Sequence, residues 1–189
     1  MPHTKEQIRN YIKTSIEHIE PVDETEIQDK KSIKNFLVLH PDNFYDHQNF
    51  KGHIIASGLV FSERQIFLTR DKEAEKWIWP GGHCEEGEMP YETAERKIKE
   101  KIEVDNLVSK YFNEENEPVP FYCNIYSVPE EGEENEHRHL NLLYVYEVKN
   151  LKIRDEFKDM VKVLDQKEAE HLNPLIKKIF LKLAGRVII

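Results

Sequence analysis

This chain of 189 residues has few cysteines, no long apolar run and no net positive charge. Its two cysteines, Cys84 and Cys123, are too few for a disulfide framework, so we expect both to be reduced thiols. No apolar run approaches the roughly 20 residues that span a bilayer, and the polar start MPHTKEQIRN lacks the apolar segment of a signal peptide. These features predict a cytoplasmic protein that does not enter a membrane.

The charge balance bears on the class of ligand. The formal net charge is −9, whereas proteins that bind a nucleic acid duplex through its backbone usually carry a basic face. We therefore expect no nucleic acid duplex as partner. A phosphate ester would need positive charge concentrated locally, from a metal ion or from a few lysines and arginines.

The first fifty residues have a helical pattern. Thr4 with Gln7, and Asp23 with Glu26, resemble capping boxes, and Pro21 separates the two segments. The apolar positions follow a helical period in each segment: Ile8, Tyr11, Ile12, Ile16 and Ile19, then Ile33, Phe36 and Leu37. We expect an N-terminal helical extension over 1–50, followed by a domain over 51–189.

From residue 51 the pattern alternates between strands and helices. The predicted strands are HIIASGLVF (53–61), QIFLTR (65–70), FYCNIYSV (121–128) and LNLLYVYEV (140–148). Pro90 opens a helix that runs to about Ile102. Asp165 with Glu168 forms another capping box, and a last helix is expected between Pro174 and Gly185. This order predicts an α/β fold with helices packed on a sheet.

The segment WIWPGGHCEEGE (77–88) and the helix after it carry a known motif. A Nudix box is written G-x5-E-x7-R-E-U-x-E-E-x-G-U, where U is apolar. The nine specified positions hold Gly82, Glu88, Arg96, Lys97, Ile98, Glu100, Lys101, Glu103 and Val104, of which six match. The chain thus resembles the Nudix superfamily. With NFKGHIIASG, GGH and HRHLNLLYVYEV it also resembles a bacterial subgroup that has an N-terminal helical extension and histidines at these places.

The resemblance implies a fold, a reaction and a cofactor. Nudix hydrolases form an α/β/α sandwich with a mixed sheet and act as pyrophosphatases on a nucleoside diphosphate linked to another group, X. Their glutamates, at the positions of Lys97, Glu100 and Lys101, bind Mg²⁺ or Mn²⁺. Gly81 and Gly82 would approach the phosphate, and Arg96 with Glu88 would brace the loop. The resemblance also implies a small-molecule nucleotide-type ligand and makes a homodimer a candidate assembly.

The box is degenerate where the metal should bind. Lys97 and Lys101 replace two glutamates, and a charged lysine cannot coordinate a cation because it has only donors. In one interpretation both lysines face the site and hold phosphate directly. In the other they lie on a solvated helix face and pair with Glu100. Glu103 also replaces the helix-ending glycine, so we expect the left-handed cap to move to Asp105 or Asn106.

Glu100 and Glu88 remain as the candidate ligands for Mg²⁺ or Mn²⁺, and with Arg96 they form the candidate catalytic set. The candidate substrate contacts are Gly81, Gly82, His83, Lys97 and Lys101.

A second candidate site consists of the histidines His53, His83, His137 and His139. His137 and His139 share a strand face if their strand begins early, and with His53 or His83 they can bind a transition metal. Alternatively they form local hydrogen bonds or contact substrate as neutral donors. The acidic segment 130–136 is either a source of a general base or a solvated loop.

Two functions remain open. The first is hydrolysis of a pyrophosphate bond with weak or altered dependence on Mg²⁺ or Mn²⁺. The second is a catalytically silent Nudix-fold module that binds a nucleotide or a protein partner for regulation. The two lysines favour the second, while the intact loop favours phosphate recognition in both.

Overall fold

The computed structural model describes residues 2–62, 65–70, 76–104, 106–130 and 136–185. Within these ranges the α-helices are α1 (Lys5–Ser15), α2 (Glu24–Leu39), α3 (Pro90–Lys101), α4 (Gln166–Leu172) and α5 (Pro174–Leu183). The strands are β1 (His53–Ser62), β2 (Gln65–Arg70), β3 (Trp77–Ile78), β4 (Gly81–His83), β5 (Ile102–Val104), β6 (Val108–Ser109), β7 (Tyr122–Val128), β8 (His137–Glu147), β9 (Leu151–Ile153) and β10 (Val161–Asp165). Two 3-10 helices cover Ile16–His18 and Asp155–Met160.

The central sheet is mixed, as the sequence predicts. Strands β10, β2, β1, β8 and β6 lie side by side in that order, with β3 against β2, β4 against β1 and β7 against β8. Strands β1 and β8 are parallel and the other pairs are antiparallel. The first half of β1 pairs with β4 and its second half with β2, which places the segment Gly81–His83 beside the start of β1. A separate two-stranded sheet joins β5 to β9.

Helices cover both faces of the sheet. Alternate residues of β1 point to opposite faces: Ala56 belongs to the apolar cluster that contains Ile98 of α3, and Leu59 to the cluster that contains Ile176 of α5. Helix α3 approaches β1 closely, because a Cβ at Gly58 would lie 2.4 Å from Cδ1 of Ile98. This is the α/β/α sandwich that the box implies.

The N-terminal helices share the core of the sheet. The predicted helical faces are buried, and their residues lie in the same apolar cluster as Ile54, Leu140 and Tyr144. The capping boxes of α1 and α4 are both present. At α2 the N-cap Asp23 accepts from the Glu26 backbone N–H, but the Glu26 carboxylate accepts from the Val22 N–H instead of closing the box.

Two further details differ from the prediction. Strand β8 begins at His137, which is earlier than the predicted 140–148. The prediction of a left-handed cap at the end of α3 is wrong. The helix ends at Lys101, and Ile102 is extended (φ −130°) because it starts β5. Asp105 and residues 131–135 of the acidic segment lie outside the described residues. In the described part of the chain, none of the helices has the length and apolarity to cross a membrane.

Candidate phosphate cleft and histidine cluster

The loop between β4 and α3 is held by Glu88 and Arg96. Glu88 accepts two hydrogen bonds from the Arg96 guanidinium (Nε to Oε1 and Nη2 to Oε2, both 2.8 Å), one from the Thr93 hydroxyl (2.7 Å) and one from the Glu85 N–H (3.1 Å). Arg96 Nη2 also donates to the His83 carbonyl at 3.2 Å. Burial alone would raise the pKa of Glu88, but the hydrogen bonds from Arg96 and Thr93 hold it below its ordinary value. This carboxylate is therefore ionised and bound within the protein.

The Glu100 carboxylate also accepts hydrogen bonds from cationic side chains. Its Oε1 lies 3.1 Å from Arg96 Nη1 and 3.1 Å from Lys97 Nζ, and its Oε2 lies 3.2 Å from the same Lys97 nitrogen. The carboxylate that the box leaves for a metal thus accepts hydrogen bonds from a guanidinium and an ammonium group.

Lys97 lies against the glycine loop. A Cβ at Gly82 would lie 2.8 Å from Lys97 Cε and 3.7 Å from Lys97 Nζ. Lys97 and Gly82 both line a cleft of about 670 Å³, together with His83 and residues from the N-terminal region such as Lys5.

The ammonium group of Lys101 lies against Phe157 and not against the glycine loop. Its ammonium is 4.0 Å from the ring centroid of Phe157, and its carbonyl accepts from the Arg154 N–H at 3.1 Å. A lysine over an aromatic face makes a favourable cation–π contact. The two box lysines therefore have different surroundings, although both replace metal-binding glutamates.

These residues do not fit a Mg²⁺ or Mn²⁺ cluster. Such ions need carboxylate oxygens, yet Glu88 is held by Arg96 and Glu100 by Arg96 and Lys97. The cleft has the acidic residues Asp42, Asp46, Glu85 and Glu86 and the basic residues Lys5, Arg96 and Lys97 on its walls. Recognition of a polyanion there depends on where these charges lie, since their sum provides no excess of positive charge.

The two loop glycines provide a matched pair of test sites. We expect Gly81→Ala to cost about 1–3 kcal/mol of unfolding free energy through overpacking, because its methyl would lie 2.6 Å from Ser57 Cβ and 3.0 Å from the Ala56 carbonyl. Gly82→Ala should cost less, because its methyl meets the flexible end of Lys97, which can move. Urea unfolding of both variants measures the difference, and an equal loss would contradict the placement of Lys97.

The candidate histidines lie together where β1, β4 and β8 meet. Their ring centroids are separated by 4.7 Å (His53–His83), 5.0 Å (His53–His137), 4.8 Å (His53–His139) and 5.2 Å (His83–His139). We call His53, His83, His137 and His139 the histidine cluster. The parallel register places His53 opposite His139, and Ile55 pairs with His83 on the other side of β1.

In the histidine cluster His53 and His137 are buried, whereas His83 and His139 are half-buried. Burial, reinforced by the neighbouring histidines, lowers the pKa of His53 to about 3, and the same causes lower that of His139 to about 3. Near neutral pH both rings are therefore neutral, and each has one nitrogen with a free lone pair.

The site contains residues that the sequence pattern does not reveal. The Tyr126 hydroxyl lies 3.3 Å from His139 Nδ1, and the His47 ring stacks on His83 with centroids 5.9 Å apart. The register of β7 against β8 pairs Tyr126 with His139. That register cannot be read from one strand alone. His47 had no signal beyond being a histidine in the preceding loop.

The chain belongs to the NUDIX domain family, whose model it matches over residues 51–182. A 53-residue segment is 45% identical to the Bacillus subtilis (strain 168) protein named "Putative ADP-ribose pyrophosphatase YjhB". That match covers 28% of this chain and 26% of the relative, so it spans about a quarter of the relative's length.

The solved structures that match this chain include a NUDIX-family hydrolase from Clostridium perfringens and a C. elegans Ap4A hydrolase. The first is 19% identical, covers 64% of this chain and 86% of that chain, and has a TM-score of 0.48. The second is 14% identical, covers 70% and 96% of the two chains, and has a TM-score of 0.47.

Proposed function

We propose that this chain binds a nucleoside diphosphate linked to a second group in the cleft beside Gly82, and that its Mg²⁺-dependent hydrolysis of the pyrophosphate bond is weak. The observation that carries the proposal is the position of Lys97, which lies against Gly82, lines the cleft and pairs with Glu100. An ammonium group there takes the place that the family gives to a metal-binding glutamate.

Phosphate recognition follows from the chemistry of these residues. Glycine lets a ligand approach the backbone closely, and lysine binds phosphate as a compact point charge. The Lys97–Glu100 pair is partly exposed, with 26% and 38% of the two side chains accessible, so a phosphate can compete for the ammonium group. The Glu88–Arg96 contacts keep the loop in place for this contact without a metal.

Weak turnover follows from the same contacts. A metal ion in this family activates water and stabilises charge on the leaving phosphate, which contributes several kcal/mol in the transition state. Lys97 supplies positive charge but no bound hydroxide. Glu100, engaged by two cations, is poorly placed to act as a base.

ADP-ribose is a suitable probe, because it is a nucleoside diphosphate linked to a sugar and because the Bacillus relative carries its name. We expect Lys97→Gln to weaken its binding about tenfold, the loss of one charged hydrogen bond of about 1.4 kcal/mol. Calorimetry in the presence of a chelator measures the change. Lys99→Gln is the matched control, since Lys99 is on the same helix but pairs with Glu95 at an exposed position. Equal effects of both variants would mean that Lys97 acts only through net charge.

The regulatory alternative has the same site and differs in turnover. It is favoured by the position of Glu100 between Arg96 and Lys97. Binding of ADP-ribose with no product after long incubation supports it, while slow product formation supports the weak hydrolase. The homodimer stays a prediction that sedimentation can test on the same sample.

A further inference from the structure

The histidine cluster is placed by the strands β1, β4 and β8, and of these three only β4 carries a box residue, Gly82. His53 starts β1, His137 and His139 start β8, and His83 ends β4. Because β1 and β8 are parallel, both strand starts lie at the same end of the sheet, and β4 returns to that end beside β1. The fold thus brings imidazoles from three strands into one small volume.

The nitrogens converge on one point. His139 Nε2 lies 3.2 Å from His83 Nε2 and 3.2 Å from His137 Nε2. His53, His137 and His139 each have a ring nitrogen within 4.8 Å of those of the other two. Zinc–imidazole bonds are about 2.0–2.1 Å long, so two ligand nitrogens of a tetrahedral site lie about 3.3–3.4 Å apart. The observed 3.2 Å separations are close to this spacing.

Hydrogen bonds alone do not satisfy His53 and His139 of the histidine cluster. A neutral imidazole has one donor nitrogen and one acceptor nitrogen, so the single lone pair of His139 Nε2 cannot serve both neighbours well. His53 is 0% exposed, and neither of its ring nitrogens has a hydrogen-bond partner within the part of the chain that the structure describes. Buried polar atoms without partners are rare because they are costly. A cation bound by the ring nitrogens removes this cost.

We propose that the histidine cluster binds one divalent transition-metal ion of the zinc class through imidazole nitrogens. Imidazole ligands favour late transition metals such as Zn²⁺, whereas Mg²⁺ prefers carboxylate and water oxygens. The site uses neither Glu88 nor Glu100, and it is therefore separate from the box carboxylates.

A tyrosine orients one ligand. The Tyr126 hydroxyl is 3.3 Å from His139 Nδ1, so an Nδ1–H that donates to it leaves Nε2 free to bind the ion. Metal-binding histidines usually have such a partner on the second nitrogen. Tyr126 is then a positioning residue, which acts on the metal only through His139.

Zinc titration of the metal-free full chain, against a chromophoric chelator, tests the proposal without any nucleotide. We expect one equivalent of Zn²⁺ per chain at neutral pH, with no competition from excess Mg²⁺. His139→Gln should weaken zinc binding by more than about 100-fold, since loss of an outer partner alone typically costs 10–100-fold. Tyr126→Phe should weaken it about tenfold. His171→Gln is the matched control, because His171 is an exposed histidine of α4.

Two readouts separate metal ligation from a structural effect. The X-ray absorption spectrum of the zinc form should show nitrogen ligands at about 2.0–2.1 Å with imidazole scattering. Zinc should also raise the Tm of wild type and of His171→Gln but not that of His139→Gln. Circular dichroism of the metal-free variants shows whether each is folded, and Tyr126→Phe still tests the site if His139→Gln does not fold.

The proposal is overturned if wild type binds Zn²⁺ no more tightly than His139→Gln does, or if the absorption spectrum shows that carboxylate oxygens bind the ion. Neither result bears on ADP-ribose binding, which is measured with a chelator present. Conversely, loss of ADP-ribose binding in Lys97→Gln leaves the zinc titration unchanged. The two proposals can therefore fail separately.

Discussion

Lys182→Met is expected to lower the free energy of unfolding by about 3–5 kcal/mol, the usual effect of removing one partner of a buried ion pair. Lys182 Nζ of α5 lies 2.5 Å from Oε1 of Glu26 in α2, and the two side chains are 5% and 0% exposed. Lys182 also lies over the rings of Phe121 and Tyr122, and burial lowers its pKa below the ordinary value. Without the ammonium group, the Val22 N–H is the one hydrogen-bond partner left to the Glu26 carboxylate among the described residues. Urea unfolding followed by circular dichroism measures the loss.

The double variant Glu26→Leu with Lys182→Met separates the charge from the packing. Apolar residues of similar volume often replace a buried ion pair with little loss, so we expect the double variant to recover part of the stability. The remaining loss reflects the Val22 N–H, which no longer has the Glu26 carboxylate as acceptor. Lys152→Met is the control, because the Lys152–Glu103 pair is on the surface, and it should leave the unfolding curve almost unchanged. A double variant as unstable as Lys182→Met alone would show that shape, not charge, governs this contact.

Lys97→Glu combined with Lys101→Glu is expected to create Mg²⁺ binding, with a Kd on the order of 1 mM or about 4 kcal/mol. The first substitution removes the ammonium group that pairs with Glu100, and the second places a third carboxylate one turn further along α3. Lysine and glutamate have similar helix propensity, so α3 should be retained. Calorimetry with Mg²⁺ tests this, since the histidine cluster is expected to ignore that ion.

The charge-matched control is Lys97→Glu with Lys99→Glu, in which one carboxylate lies on the exposed side of α3. We expect its Mg²⁺ binding to be weaker than that of the designed pair, and we expect turnover of ADP-ribose to be faster in the designed pair than in this control. Normal folding of the designed pair without Mg²⁺ binding would mean that these positions do not face one ion. Robust Mg²⁺-dependent turnover by wild type that is lost on Glu100→Gln would contradict the proposed weak hydrolysis.

Much of the fold can be predicted from the sequence because its signals are local. The bounds of β2 agree with prediction, α3 begins at Pro90 as predicted, and the caps at Thr4 and Asp165 need only contacts three residues apart. The short strands β3, β4, β5, β6 and β9 could not be predicted, since two or three residues carry no periodicity. The early start of β8 at His137 depends on its pairing with β1, which is a long-range contact.

The site is only partly accessible to sequence reasoning. The box register predicts which residues approach the loop, and the Glu88–Arg96 contacts agree with the structural pair that the resemblance implies. The register does not predict that Lys101 lies over Phe157, because Phe157 comes from a segment more than fifty residues later. The Glu26–Lys182 pair could not be predicted either, since a glutamate after an N-cap and a lysine in a last helix turn are both ordinary surface patterns.

The contact between α2 and α5 has a consequence for how the chain is synthesised. Glu26 emerges early from a ribosome, but its ammonium partner is 156 positions later in the chain. Until that partner emerges, the nascent N-terminal helices lack their buried counter-charge, and until β8 emerges they also lack one of the strands on which their apolar faces pack. We therefore expect nascent chains stalled before residue 182 to be sensitive to protease in the region of α1 and α2, and released chains to become resistant there only after translation of α5 is complete.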